Sequence, residues 1–531
     1  MKIAAVVHNS VRRDARVIKE AVSLDRAGHS VTIHGISETD SPETFTLPGS
    51  AVTVRLSPRL VPEPATGSNL LANAWIRRPL FGGLFALLLV GLVVFANPLT
   101  RLLSMHPDGT LNTSHHLTSQ LLLMSNLMLL ALLFRRTFHR RVLKPLVCGM
   151  RWATGKGRLQ FCHFVVRRYP QSAVATHYAV QCQRQNFARI MPPLLASLLQ
   201  DGRPDAVHLH DIAALLLADD IKERFNCPII WDAHEIYEDM AGANDLRGLL
   251  NGGVIRAQAK FVDRLITIND SIQNYYASNH KALPPAVVLM NATDRVSPPV
   301  YDGRLHRAAG LPSEQRILLF QGGFGAKRGL RMLVEASHDF APDWTLVLMG
   351  WGIMEADLRA LAQMKQRQGA VANTVFLPGV PHRELQEWSA GASLGAITYE
   401  NTSLNHLYCT PNKLWEYPSA GVPILATDLE EMGKAVRTHT IGFLLPRNFT
   451  ALDIAGAVNC VTREDLSRAR KACQTYMESS NWGVYEPRLQ NLYAELDLQC
   501  RSRRPSPVSA PAQAAKSWND AKSPELIAQL Q

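Results

Sequence analysis

A lysine and a glutamate, Lys413 and Glu416, stand three residues apart just after Thr410, Pro411 and Asn412. Threonine is a good N-cap and proline suits the first helical position, so the sequence predicts a helix with Thr410 as its cap and Pro411 as its first residue. The next backbone N–H groups then lie free at the positive end of the helix dipole. Lys413 adds a full charge, so Thr410, Asn412 and Lys413 form an anion site with phosphate as its natural ligand. Glu416 falls on nearly the same helix face as Lys413. A carboxylate repels phosphate but accepts hydrogen bonds from hydroxyls, which the ribose of a nucleoside diphosphate would supply. The plain alternative is a capped helix with a solvated Lys–Glu pair, since N-capping is routine.

A second anion site is written at Gln321–Gly329, where Gly322 and Gly323 allow backbone to approach a phosphate and Arg328 can clamp it. Two such sites in one domain suit a diphosphate. Elsewhere, His208, His210 and Asp211 close one segment, and Asp232, His234 and Glu235 another. Residues two apart share a strand face, so both histidines point to a cleft edge or both pack. His208, His210, Asp232 and His234 could also hold a metal, which would make a hydrolase the rival reading. The chain has no Asp-x-Asp, the usual carboxylate pair for a nucleotide-bound metal. Cationic side chains and a helix dipole are therefore left to neutralise the diphosphate, with no metal and no cofactor expected.

These residues need strand ends to hold them. Strands are expected at Lys2–His8, Ser30–Ile36, Ala206–Leu209, Pro228–Trp231, Arg264–Ile268 and Val287–Met290, with an amphipathic helix after the first. A second alternating series runs through Ile317–Gln321, Thr345–Met349, Thr374–Leu377, Leu394–Thr398 and Val422–Asp428, with Gly421 ending the helix before the last strand. The expected fold class is α/β: two doubly wound, Rossmann-like domains with a ligand cleft where their strand carboxyl ends face each other.

The length of 531 residues allows two to four domains, and 47% hydrophobic residues exclude a disordered chain. Eight scattered cysteines without a C-x-x-C pair point to a reducing compartment, and the first residues read as a strand, not a secretory leader. The net charge of +11 is uneven: Gly109 to Gln200 holds twelve Lys or Arg and no Asp or Glu. Two apolar runs, Leu80–Ala96 and Leu117–Phe134, are flanked by Arg77 and Arg78 before and by Arg135, Arg136, Arg140, Arg141 and Lys144 after. That pattern is expected of a membrane hairpin with both ends in the cytosol, spanning or dipping. A buried core hairpin is the alternative. The basic stretch lacks interleaved aromatics, which argues for lipid and against nucleic acid.

The chain resembles the family 4 glycosyltransferases of the GT-B fold, over Met1–Ile36, His208–Asp294 and Leu318–Pro446. Its Tyr408-x-x-Pro-Asn-Lys-Leu-Trp-Glu416 segment, the glycines from Gly322 to Gly329, and the paired His208-x-His210-Asp211 and Asp232-x-His234-Glu235 segments carry that likeness. The resemblance implies retaining, metal-independent transfer of a sugar from a nucleotide-diphosphate donor. It makes Arg328 and Lys413 the diphosphate partners, Glu416 the ribose ligand and His210 an acceptor-side catalytic residue, with Gly322, Gly323, Tyr408, Thr410 and Asn412 around the donor. Many members carry a glutamate eight residues before the one at Glu416; here that position is Tyr408. The expected layout is an acceptor domain over 1–300 with the hairpin at 77–145, a nucleotide-sugar domain over 301–485, a helix over 486–500 and a disordered tail over 501–531. With the hairpin, a lipid-linked or glycan acceptor at the cytoplasmic face of the plasma membrane follows. A silent sugar-nucleotide-binding scaffold is the alternative.

Overall fold

The computed structural model describes residues 1–60, 165–240, 244–295, 297–367 and 373–502. Two sheets organise it. The first contains β1 (Lys2–Val6), β2 (Ser30–Ile36), β3 (Glu43–Thr46), β4 (Thr53–Ser57), β5 (Ala206–His210), β6 (Ile229–Asp232), β7 (Arg264–Thr267) and β8 (Ala286–Val288), in the order β3-β4-β2-β1-β5-β6-β7-β8. All neighbours pair in parallel except β3 with β4. The inner strands are buried along almost their whole length because helices cover both faces, which is why they read as apolar runs.

The second sheet contains β9 (Arg316–Gly323), β10 (Trp344–Trp351), β11 (Thr374–Pro378), β12 (Leu394–Ile397), β13 (Ile424–Thr427) and β14 (Gly442–Leu445), ordered β11-β10-β9-β12-β13-β14 and wholly parallel. In each sheet the chain moves outward one way and then restarts on the other side, between β1 and β5 and between β9 and β12. Such switch points open a crevice at the strand carboxyl ends. The candidate residues sit at these ends: His210 closes β5, Asp232 closes β6, and Gly322 and Gly323 close β9.

The two sheets touch through side chains that cap backbone across the gap. Ile236 N–H donates to Asn405 Oδ1 at 2.7 Å, and Asn269 Nδ2 donates to the Tyr408 carbonyl at 2.7 Å. A final helix, Trp482–Ser502, begins four residues before the expected 486, directly after the break at Ser480 and Asn481. It returns the chain to the first sheet's helix Ala15–Arg26, where Trp482 Nε1 donates to Ser23 Oγ at 2.8 Å.

Short polar strands were harder to expect. At the sheet margin β3, Glu43–Thr46, alternates half-buried and exposed residues and β4, Thr53–Ser57, alternates half-buried and buried ones, with too few apolar positions to stand out. A separate compact unit comprises Leu60–Arg189 and Asn244–Ala257. Its described part packs Val166, Ala175, Ala179 and Leu250 together, and Gln183 Nε2 donates to Asn251 Oδ1 at 2.6 Å. Among the described residues no helix is long and apolar enough to cross a membrane. The expected hairpin at 77–145 and nearly all of the expected tail lie outside the described residues.

Candidate functional site

From the end of β9 the chain turns through Gly322, at φ +110°, to Lys327 at φ +65° and Gly329 at φ +69°, and then enters helix Leu330–Ser337. A Cβ on Gly329 would stand 2.3 Å from the Thr398 carbonyl oxygen, so the close approach to β12 requires glycine there. This turn brings Arg328 back over the strand end, where its Nη1 donates to the Gly323 carbonyl at 2.9 Å. Lys413 arrives from the other side: a Cβ on Gly322 would lie 3.5 Å from its Nζ. Both cations lie 5.8 Å from the centre of the Tyr399 ring. A cavity of about 220 Å³ adjoins Arg328, lined also by Gly323, Phe324, Gly325, Trp351 and Ile353 among others.

Lys413 is only 7% exposed. Among the described residues, neither it nor Arg328 has a carboxylate within ion-pair distance. Burial first, and then the neighbouring Arg328 charge, lower the Lys413 ammonium from 10.5 to about 8. Two unneutralised cations held against glycine backbone demand an anion.

Glu416 is fixed one helical turn away. Gln321 Nε2 donates to its Oε2 at 3.0 Å, and Gln321 Oε1 in turn accepts from Ser389 Oγ at 2.6 Å. His382 Nε2 lies 3.7 Å from the other oxygen. Burial pushes this carboxyl up, but the nearby His382 ring, the Lys413 charge and the Gln321 donor outweigh it and hold it below its usual range. Glu416 is therefore an ionised acceptor. Lys19, from helix Ala15–Arg26 of the first sheet, feels the same carboxylate, and burial followed by the Arg16 charge lowers its ammonium to about 8.

The helix start differs from the expectation. Helix Lys413–Ser419 has Asn412 as its cap, in helical backbone and without a side-chain cap bond. Leu414 N–H bonds to the Pro411 carbonyl and Trp415 N–H to that of Asn412, each at 2.9 Å, so a tight turn occupies the place of the expected first helical turn. Thr410 is buried, and its hydroxyl accepts from Asn269 Nδ2 at 3.3 Å instead of capping the helix. Asn412 is exposed. At seven residues the helix is too short for its dipole to carry the anion site. The charge comes from the Arg328 and Lys413 side chains. Pro418 does lie inside this helix, and Gly421 at φ +72° ends it, with Val422 N–H closing onto the Tyr417 carbonyl at 2.9 Å. Beneath it, Gly395 leaves room for the Tyr417 ring, whose hydroxyl donates to the Leu319 carbonyl at 2.8 Å. That contact sets the height of Lys413 and Glu416 above β9.

In the first sheet both histidines of the pair pack inward. His208 and His210 stack with ring centres 4.2 Å apart, and His210 is 1% exposed. His210 Nδ1 lies 3.3 Å from Asp232 Oδ2, while His208 Nδ1 pairs with the Tyr493 hydroxyl at 3.0 Å. Burial lowers the proton affinity of both rings. For His210 the Asp232 hydrogen bond and the Glu20 and Asp232 charges more than offset that, so its value is raised; His208 stays well below the usual range. Arg16 anchors the group by a bidentate pair to Asp232 at 2.6 and 2.9 Å, and lies 3.1 Å from Glu20.

Glu20, His208, His210 and Asp232 come close enough to hold a metal ion. The Arg16 guanidinium already occupies both carboxylates, so a divalent cation would have to displace an arginine or sit against one. His234 stands apart from this group, 3.5 Å from Asp211 and 3.8 Å from Asp232. This charge arrangement speaks against the hydrolase reading.

Gly322, Gly323, Arg328, Lys413 and Glu416 thus converge, Tyr408 and Thr410 gather at Asn269, and His210 belongs to the other sheet. Sequence reasoning missed Arg16, Lys19, Glu20, Gln321 and His382. Only Arg16 and Glu20 left a signal, as charged residues four apart on the helix face that also buries Val17, Ala21 and Leu24.

Residues 315–463 match the family model described as Glycosyl transferases group 1. A D-inositol 3-phosphate glycosyltransferase from Xylanimonas cellulosilytica is 25% identical over 230 residues, or 42% of this chain, and the match spans about half of that relative, 52%. Sucrose-phosphate synthase from Thermosynechococcus elongatus superposes with a TM-score of 0.57 at 13% identity, covering 94% of this chain and 99% of its own. A UDP-forming α,α-trehalose-phosphate synthase from Burkholderia vietnamiensis superposes at 0.52 with 11% identity, covering 94% and 98%. The fold, two parallel-sheet α/β domains, is that of the GT-B glycosyltransferases.

Proposed function

We propose that this protein is a retaining, metal-independent glycosyltransferase that takes a sugar from a nucleotide-diphosphate donor. The observation that carries this reading is the convergence of Arg328 and Lys413 on Gly322 and Gly323 with, among the described residues, no carboxylate paired to either. Glu416 beyond them supplies an ionised acceptor for ribose hydroxyls. The match at 315–463 covers this half of the site. In the reaction the bond between the anomeric carbon and the β-phosphate oxygen breaks, and its electron pair goes to the phosphate. Arg328 and Lys413 stabilise that developing charge, and a preorganised donor of this kind contributes about 3 kcal/mol. The acceptor oxygen bonds to the anomeric carbon from the same face, and its proton passes to the departing phosphate oxygen. His210, held by Asp232, sits on the acceptor side.

The acceptor in this reading is a lipid-linked or other glycan, met at the cytoplasmic face of the plasma membrane. Its support is the pair of apolar runs, Leu80–Ala96 and Leu117–Phe134, with arginines on both outer flanks. Recovery of the full chain in the soluble fraction without detergent would remove that part. The donor is tested by a thermal-shift panel of UDP-, GDP- and dTDP-sugars, since a ligand bound to the folded state raises the melting temperature by mass action. No shift with any of them would sink the donor reading. Donor hydrolysis by the purified protein distinguishes an enzyme from a silent scaffold.

A further inference from the structure

Glu235 follows β6 by three residues, at the edge of the first sheet that meets the second. Its backbone is pinned on both sides. The Tyr276 hydroxyl donates to the Glu235 carbonyl at 2.7 Å, and the next residue, Ile236, donates its N–H to Asn405 Oδ1 of the other domain at 2.7 Å. Three residues further along the contact continues, as the Asp239 carboxylate and carbonyl accept from Leu404 and Asn405 N–H at 2.7 and 3.3 Å. The side chain is mostly buried, and among the described residues no group hydrogen-bonds its carboxylate. A carboxylate so placed, partly shielded and without a protein donor, is open to donors from a ligand.

The contact with Asn405 sets this carboxylate beside the cations: the next residue, His406, stacks its ring on Tyr399 at 5.0 Å, and Arg328 and Lys413 both approach that same ring at 5.8 Å. Glu416 and Lys413 feel each other, Lys413 feels Arg328, and Arg328 in turn acts on Glu235; the buried Tyr399 ring senses Glu416, Arg328 and Glu235 together. Two cations are therefore flanked by two carboxylates. Burial raises Glu235, the Asp211 charge adds to this, and the His234 and Arg328 charges oppose it. If the cations take a diphosphate and Glu416 takes the ribose on one side, the group on the other phosphate lies toward Glu235. That group cannot be another phosphate beside a carboxylate. Resting on the donor reading above, we infer that Glu235 accepts hydrogen bonds from hydroxyls of the transferred sugar and so helps select it.

The test compares each nucleotide with and without its sugar: UDP with UDP-glucose, and GDP with GDP-mannose, by calorimetry on the full chain. For the pair that the wild type binds, Glu235→Gln should leave nucleotide affinity within about twofold and weaken the sugar nucleotide by about tenfold or more, as for a hydrogen bond to a charged acceptor. Glu235→Asp, which keeps the charge but withdraws it by one methylene, should weaken the sugar nucleotide alone and is the safer variant if the first folds poorly. Equal losses for both ligands would overturn the inference by making Glu235 part of the phosphate cradle or the scaffold. No loss for either would overturn it as well. A wild type that binds none of the four fails earlier, at the donor reading itself.

Discussion

Nucleotide affinity should fall as pH rises through about 8, because Lys413 must carry a proton to meet a diphosphate. Its ammonium titrates near 8 in the unliganded fold, against 10.5 when exposed. Lowering it that far means that holding the charge costs the empty fold about 3 kcal/mol, at about 1.4 kcal/mol per pH step. A bound diphosphate reverses the balance. Near pH 7 about nine in ten molecules are already charged, near pH 8 about half, and near pH 9 about one in ten, so affinity should drop about fifteenfold from pH 8 to 9.5. Calorimetry in buffers of different ionisation enthalpy should count about half a proton taken up per UDP or GDP bound near pH 8.

Stability should move the opposite way. A lysine whose folded value lies below its unfolded one destabilises the fold while charged. The empty protein should therefore gain stability as pH rises from about 8 toward 10.5, and Lys413→Met should abolish that gain and raise stability below pH 8. Lys19 also titrates at about 8, so the series is run in a Lys19→Gln background. Affinity that is flat from about pH 7 to 9.5, with no proton uptake, would refute the assignment of Lys413 to the phosphates.

Other substitutions separate chemistry from support. Arg328→Ala should lower turnover about a hundredfold or more with little change in melting temperature, since among the described residues its side chain's one hydrogen bond is to the Gly323 carbonyl; near-normal turnover would remove it from the mechanism. Glu416→Gln should weaken binding of a nucleoside diphosphate while sparing inorganic pyrophosphate, and equal calorimetric affinities for wild type and variant would reject the ribose role. Arg16→Met should cost about 3–5 kcal/mol in urea unfolding, because it strands two buried carboxylates. Recovery of most of that loss on adding Asp232→Asn would attribute it to the unpaired charge, whereas a loss under about 1 kcal/mol would show that the carboxyls simply take up protons.

The convergence of the residues proposed to hold the phosphates was legible because it is local. Gly322, Gly323 and Arg328 lie within one strand-to-helix turn, Lys413 and Glu416 within one helical turn, and alternation of strands and helices is enough to put both at strand ends of one sheet. The helix opening misled in detail. Thr-Pro favours a cap, but Asn269 from the other domain takes the Thr410 hydroxyl, a contact 141 residues away in sequence that propensity cannot foresee. The same limit hid Arg16, whose partner Asp232 is 216 residues distant. His208 and His210 were read correctly as sharing a face, yet which face depends on Glu20, Arg16 and Tyr493, all from other elements.

Moving the anion site from a helix dipole to two side chains changes its character. Partial charges at a helix start are fixed at every pH, whereas the Lys413 ammonium is present only in proportion to its proton. Arg328 keeps its charge but is half-exposed and therefore more open to screening by salt than the buried lysine. The pair divides the work accordingly: Lys413 makes binding proton-linked, and Arg328 stays charged throughout. With Glu416 and Glu235 on either side, the cleft also opposes a ligand that places phosphate anywhere but the middle. On the proposed reading, such a charge order would set the direction in which a nucleotide lies before any base or sugar is recognised.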